Sequence, residues 1–144
     1  MEETKYTIRE MKIEDFEEVH NLWMTIKGFG IRTIDDSKEG VEIFIKRNPT
    51  TSIVAEADGK IVGSILCGHD GRRGCFYHVC VAEAYRKHGI GKSMAVSAMH
   101  ALQKEKIDIA LKVQKQIEEF FVFLQDGRES AFLSLIESSD AFQR

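Results

Sequence analysis

The sequence predicts an α/β fold built on a mixed sheet, and three observations carry that reading. Apolar residues recur at helical spacing in two stretches of the first third. β-rich runs then follow one another around tight-turn signals. A long apolar run next passes through a glycine-punctuated segment into a further helical pattern. Taken in order, the elements read β-α-α-β-β-β-α-β, the alternation of an α/β domain.

"KYTIRE" is a short first strand. "IEDFEEVHNLWMTI" places Ile13, Phe16, Val19, Leu22 or Trp23, and Ile26 on one helical face. "KGFGIRTIDD" is a loop, because its glycines end that helix. "SKEGVEIFIKRN" is a second helix, with Ser37 as N-cap, an apolar face of Val41, Phe44 and Ile45, and Pro49 as its stop. "TTSIVAEADGKIVGSILCGHD" is a hairpin around Asp58-Gly59. "GRRG" makes a second tight turn. "CFYHVCVA" is a strand apolar on both faces, which suits a central position. "GIGKSMAVSAMHALQKEK" is a helix with Ile90, Met94, Ser97/Ala98 and Ala101/Leu102 on one face, and "IDIALKV" is strand-like.

The bulk numbers fit one ordinary globular domain. The chain has 144 residues, 43% hydrophobic and 30% charged, with a formal net charge of −3. That balance speaks against a general nucleic-acid binder. No apolar run is long enough for a membrane helix, and the acidic start "MEETKYTIRE" has no signal-peptide core, so a cytoplasmic location is expected. Cys67, Cys75 and Cys80 form no CxxC pair and lie in apolar runs. They read as buried, reduced thiols, with no metal site.

The chemistry concentrates in "YRKHGIGKSM". It closes like a P-loop, but Arg86 stands where a P-loop needs its first glycine. A dinucleotide-binding Gly-x-Gly-x-x-Gly fails at Met94. What remains is a helix start open to a small anion. Gly89 and Gly91 allow close approach, the first amides are unpaired, and Arg86, Lys87 and Lys92 supply countercharge. A solvated helix start that binds nothing stays open on this motif alone.

"VCVAEAYRKHGIGKSM" resembles motif A of the GNAT N-acetyltransferases, a hydrophobic strand followed by R/Q-x-x-G-x-G/A. Val81, Arg86, Gly89 and Gly91 fall on that pattern, while Ala82 and Glu83 occupy the stretch where many members have proline. The element order agrees as well, and "GHDGRRGCFYHV" is similar to a strand turn of small bacterial members. The resemblance covers about residues 5–113. It implies a single domain over 1–144 with the acyl-CoA N-acyltransferase fold: a mixed, mostly antiparallel central sheet with helices on both faces.

It further implies acetyl-CoA as co-substrate, used to acetylate a primary amine by direct attack. That amine would belong to a small molecule or to a protein N-terminus or lysine. The coenzyme pyrophosphate would sit on Arg86, Lys87, His88, Gly89, Ile90, Gly91 and Lys92, and the pantetheine arm along the main chain of Val79, Cys80 and Val81, beside a diverging "IDIALKV". A binding module of the same fold without turnover is the alternative.

Catalytic side chains are less legible. A strand amide near Val79 or Cys80 can polarise the thioester carbonyl. The glutamate that some members carry on the fourth strand falls here at Cys75. His78 is the first candidate for assisting proton removal, since histidine's ordinary pKa suits that role, and Tyr77 is the second. His69 and Asp70 read as turn chemistry. No tyrosine follows Tyr85 and no asparagine follows Asn48, so the family's usual acid has no counterpart. The tail departs from the family, by divergence or by a change of reading frame. Val113, Ile117, Phe120, Phe121 and Leu124 suggest a helix ending at Gly127, and no closing β-hairpin is expected. The open sheet edge this leaves predicts a homodimer.

Overall fold

The computed structural model describes residues 5–26, 31, 34–115 and 118–123; at Arg73 and over 108–123 it describes the backbone alone. β1 (Thr7–Glu10) leads through a 3-10 turn at Ile13–Asp15 into α1 (Phe16–Thr25), and α2 (Lys38–Arg47) follows. Then come β2 (Ile53–Ala57), β3 (Lys60–His69) and β4 (Arg73–Val81), a 3-10 turn at Glu83–Tyr85, α3 (Ile90–Lys104), β5 (Asp108–Lys115) and β6 (Glu118–Phe123).

The local signals act as anticipated. Ser37 Oγ accepts the Gly40 N–H at 3.0 Å, which caps α2. Asp58 and Gly59 take left-handed φ angles of 54° and 75°, the pair of values that a two-residue hairpin turn needs. Arg72 N–H donates to Asp70 Oδ1, and Gly71 N–H to His69 Nδ1, so "HD" does serve the β3–β4 turn.

The six strands lie in chain order. Each neighbouring pair is antiparallel except β4–β5, which is parallel because α3 carries the chain back across the sheet. Both faces are covered. Ile90, Met94, Ala98 and Leu102 of α3 pack on Ile53, Ile65, Phe76, Val79 and Val81. Phe16, Val19, Leu22 and Trp23 of α1, with Val41 of α2, pack on Val54, Leu66 and Cys80. β4 is therefore central and covered on both sides, and the run from Cys75 to Val81 is apolar except at His78 for that reason.

Two expectations are corrected. Residues 118–123 form a strand, not a helix, and β5 and β6 make an antiparallel hairpin with Val113 opposite Phe120 and Leu111 opposite Val122. The run Phe120–Phe123 is aromatic and β-branched, so its apolar spacing fits either period, and the free edge of β5 decides for a strand. Leu124, Gly127 and "SAFLSLIESS" lie outside the described residues. The other correction concerns Cys75, which is half-buried where a buried thiol was expected; Cys67 and Cys80 are buried, and all three are free. Among the described residues no helix is long and apolar enough to cross a membrane, and no cluster of His, Cys, Asp and Glu could hold a metal ion.

Candidate active site

The site is built where β4 leaves β5. Their parallel ladder pairs Arg73 with Asp108, Cys75 with Lys112 and Phe76 with Val113. β4 continues to Val81, but from Tyr77 onward it has no ladder partner on that side among the described residues. A slot with a main-chain edge results.

The change coincides with a bulge. Ser64 faces Cys80 and Leu66 faces Tyr77, so one β3 residue, Ile65, stands opposite two of β4, His78 and Val79. His78 takes φ 49°, unusual for a side chain of its size. The alternation of β4 shifts phase there. Phe76, Val79 and Val81 face α3, whereas Tyr77 and Cys80 face α1 and α2, together with the His78 ring that lies against Trp23.

Beyond β4, Ala82 N–H donates to the Val62 carbonyl, and Tyr85 Oη donates to Asp58 Oδ2 at 2.6 Å, anchoring the connection on the β2–β3 turn. That carboxylate also raises the Tyr85 pKa. Lys87 and Gly89 have left-handed φ angles of 68° and 82°, and Gly89 is the N-cap of α3. The first intrahelical bond runs from Ser93 N–H to the Gly89 carbonyl at 3.0 Å. The amides of Ile90, Gly91 and Lys92 thus have no intrahelical acceptor, and no side chain caps them. No acidic residue lies in this first turn. Lys87, His88, Gly89 and Lys92 are exposed. Free helix-start amides with no acidic neighbour in that turn favour an anion.

Arg86 is turned back onto the end of β4. Its Nε donates to the Val81 carbonyl at 2.9 Å, and its Nη1 is buried with no hydrogen-bond partner among the described residues. An orphaned guanidinium donor beside the slot is what a ligand oxygen would satisfy. Cys80 cannot act as a nucleophile there. Burial pushes its thiol up to about 12, with Ser64 and Arg86 only partly opposing.

His78 Nε2 lies 2.8 Å from Asp36 Oδ1, and its ring centroid is 4.6 Å from that of Trp23. A carboxylate only accepts, so Nε2–H donates. Tyr77 packs edge-on against Phe44, with centroids 5.9 Å apart. The bulge thus brings the His78 ring to the α1/α2 face that Tyr77 already occupies, beside the main chain of Val79 to Val81. His69 is elsewhere, 3.2 Å from Glu105 at the far end of α3.

Sequence reasoning missed three contributors. Asp36 sits in the loop before α2, where only its acidity marked it. Tyr6 Oη bonds Ser93 Oγ at 2.8 Å and lies 3.5 Å from the Gly89 carbonyl, steadying the helix start from β1's side. Ser64, below the bulge, accepts Trp23 Nε1–H at 2.9 Å. Each is a contact between distant parts of the chain that no local pattern announces.

Comparison with known proteins places the chain in a family. The family model described as "Acetyltransferase (GNAT) family" matches residues 11–122. An acetyltransferase of Sodalis glossinidius is 37% identical over 87 residues, 60% of this chain and 60% of that protein, so the matched segment spans about three fifths of that relative. An acetyltransferase of Yersinia pestis (strain Pestoides F) is 36% identical over 100 residues, 69% of this chain and 67% of that one. Among solved structures, diaminobutyrate acetyltransferase EctA from Paenibacillus lautus, in complex with L-2,4-diaminobutyric acid and coenzyme A, aligns with TM-score 0.63 at 23% identity, over 76% of this chain and 66% of that one. Naa50 of Arabidopsis thaliana, bound to a bisubstrate analogue, aligns with TM-score 0.59 at 16% identity, over 78% and 74%. At those identities the likeness establishes the fold.

Proposed function

The chain belongs to the acetyltransferase (GNAT) family, and on that footing we propose that it moves an acetyl group from acetyl-CoA to a primary amine by direct attack. One observation carries the proposal: among the described residues the β4–β5 ladder stops at Phe76 while β4 runs on to Val81, directly ahead of the open helix start. The pyrophosphate is assigned to the amides of Ile90, Gly91 and Lys92, with Lys87, His88 and Gly89 forming the turn and Lys92 supplying charge. The pantetheine arm lies along Val79, Cys80 and Val81 as an added strand edge. Arg86 Nη1 is the donor awaiting an oxygen of that ligand.

In the reaction the amine nitrogen bonds to the thioester carbon, and a main-chain N–H of the bulged segment stabilises the oxyanion. The C–S bond then breaks and the thiolate takes a proton. His78 assists removal of the ammonium proton, with Tyr77 beside it as second candidate. The acceptor, a small-molecule amine or a protein N-terminal or lysine amine, approaches from the α1/α2 side, where both side chains stand. A homodimer belongs to the same reading, since β6 ends the sheet among the described residues and leaves an edge to cover.

A second reading, a coenzyme-binding module without turnover, is favoured by one fact: no tyrosine follows Tyr85 to serve as the family's acid. Calorimetry with acetyl-CoA, followed by thiol release across an amine panel, separates the two. Binding with turnover supports the enzyme, and binding without turnover of any amine supports the module. No binding by the wild type, or equal binding by Gly91→Val, overturns the site assignment.

A further inference from the structure

We propose that Asp36 is a positioning residue for the coenzyme: through the His78 imidazole it holds the bulge that turns β4 away from β5. It thereby maintains the main-chain edge along Val79 to Val81. The inference rests on the proposed function, because it assumes that the pantetheine arm uses that edge.

The argument starts from the backbone. His78 stands at φ 49° inside a strand, a left-handed conformation that is costly for an L residue and that contacts around the ring can offset. The surroundings here form a clamp. Trp23 lies against one side of the ring, with centroids 4.6 Å apart, and Trp23 is itself tied to Ser64 Oγ at 2.9 Å. Asp36 fixes the ring's edge, with Nε2–H donating to Oδ1 at 2.8 Å. Both partners are buried, Asp36 at 5% exposure and His78 at 8%, so water does not loosen the bond.

Asp36 is in turn held in place. Ser37 Oγ donates to the Ile34 carbonyl at 2.8 Å while accepting from Gly40 N–H. A Cβ at Gly40 would stand 2.3 Å from the Ile34 carbonyl oxygen and 2.6 Å from that of Asp35. The turn over 34–36 therefore lies directly on the first turn of α2, and this close approach presents the Asp36 carboxylate to the sheet.

Removing the carboxylate takes away the acceptor 2.8 Å from the buried Nε2. The ring is then held less firmly, and His78 relaxes to an ordinary negative φ. The extra β4 residue loses its support, the strand's phase reverts, and pairing with β5 can run on past Phe76. The slot closes. Nothing in this sequence touches the helix start, which is fixed by Gly89 and Tyr6.

The test uses the whole chain and two ligands in calorimetry: acetyl-CoA, and 3′-phospho-ADP, which is the coenzyme without its pantetheine arm. Wild type should prefer acetyl-CoA. Asp36→Ala should weaken acetyl-CoA about tenfold, the order of one or two main-chain hydrogen bonds, and leave 3′-phospho-ADP unchanged. Asp36→Asn keeps an acceptor for Nε2–H and should retain most of the preference. In Asp36→Ala/His78→Gly, glycine adopts the left-handed φ unaided, so the preference should return towards the wild-type value. If Asp36→Ala does not fold, Asp36→Ser, too short to reach the ring, takes its place. Equal loss for both ligands, or no loss for either, overturns the inference and leaves the arm assignment standing. No preference in wild type overturns the arm assignment, and the inference falls with it.

Discussion

Replacing Gly89 by alanine separates what the helix start contributes to stability from what it contributes to binding. Gly89 sits at φ 82°, ψ 6° as the N-cap of α3. A Cβ there meets only Tyr6 Oη, at 3.8 Å, an ordinary contact, so the cost comes from the backbone and not from a clash. The left-handed conformation costs an L residue about 1–2 kcal/mol, and the stiffer unfolded chain offsets roughly 0.5 kcal/mol of that. A net loss of about 1 kcal/mol should lower Tm by roughly 3–6 °C in a chain of this size.

The new methyl also stands beside the amides proposed to receive the pyrophosphate, so acetyl-CoA affinity should fall about tenfold, as for loss of one charge-assisted hydrogen bond. Gly71→Ala is the control. It has φ 93° and nothing within 4 Å of a Cβ, but it lies in the turn at the opposite end of β4. It should lose comparable Tm and keep wild-type affinity. Scanning calorimetry and titration calorimetry on both variants decide the matter. Unchanged Tm in both refutes the strain argument. Unchanged affinity in Gly89→Ala, or equal weakening in both, refutes the loop as the pyrophosphate site.

Further outcomes follow from single contacts. Once an acceptor amine is found, His78→Ala should lower turnover about a hundredfold or more; a rate unchanged over pH 6 to 9 in steady-state assays removes His78 from the proton path. Trp23→Phe deletes the buried bond to Ser64 Oγ and should cost about 1–3 kcal/mol in urea unfolding, with a loss under 0.5 kcal/mol counting against it. Gly40→Ala drives a Cβ into two carbonyl oxygens and should destabilise by about 1–3 kcal/mol, which thermal unfolding checks. Arg9, bonded to both Asp15 oxygens at 2.8 Å, holds the Asp15 carboxyl below the usual range. Because that folded pKa is depressed, its stabilisation is full above about pH 4 and is lost as pH falls through the lowered value. Asp15→Asn should flatten this acid limb in a Tm–pH series, and an unaltered limb contradicts the assignment.

The elements legible in the sequence are those whose cause is local. Ser37 caps its own helix, Asp58-Gly59 makes its own turn, and Gly89 starts α3 through its own φ. The order of strands and helices followed from such signals, and motif A then brought the sheet arrangement with it. The tail misled because the run "FFVF" after Glu119 is apolar at every position, so it cannot distinguish a period of two from one of 3.6. Only the free edge of β5, a tertiary fact, makes it a strand.

The bulge was hidden for a related reason. "CFYHVCVA" is buried on both faces, so slipping its alternation by one residue at His78 leaves no polar residue exposed and no apolar residue stranded. A strand solvated on one face would have betrayed the slip in its pattern. The same double burial that makes β4 unreadable lets it carry the site. A strand covered by α3 on one side and by α1 and α2 on the other is open to side-chain contacts from both, and here Trp23 and Asp36 contact His78 from the α1/α2 face where the described pairing with β5 ends. If the pantetheine arm uses the β4 edge as proposed, that edge takes its direction from side-chain contacts on the face where the acceptor is proposed to enter, so changes in the loop before α2 should alter coenzyme binding as well as acceptor choice.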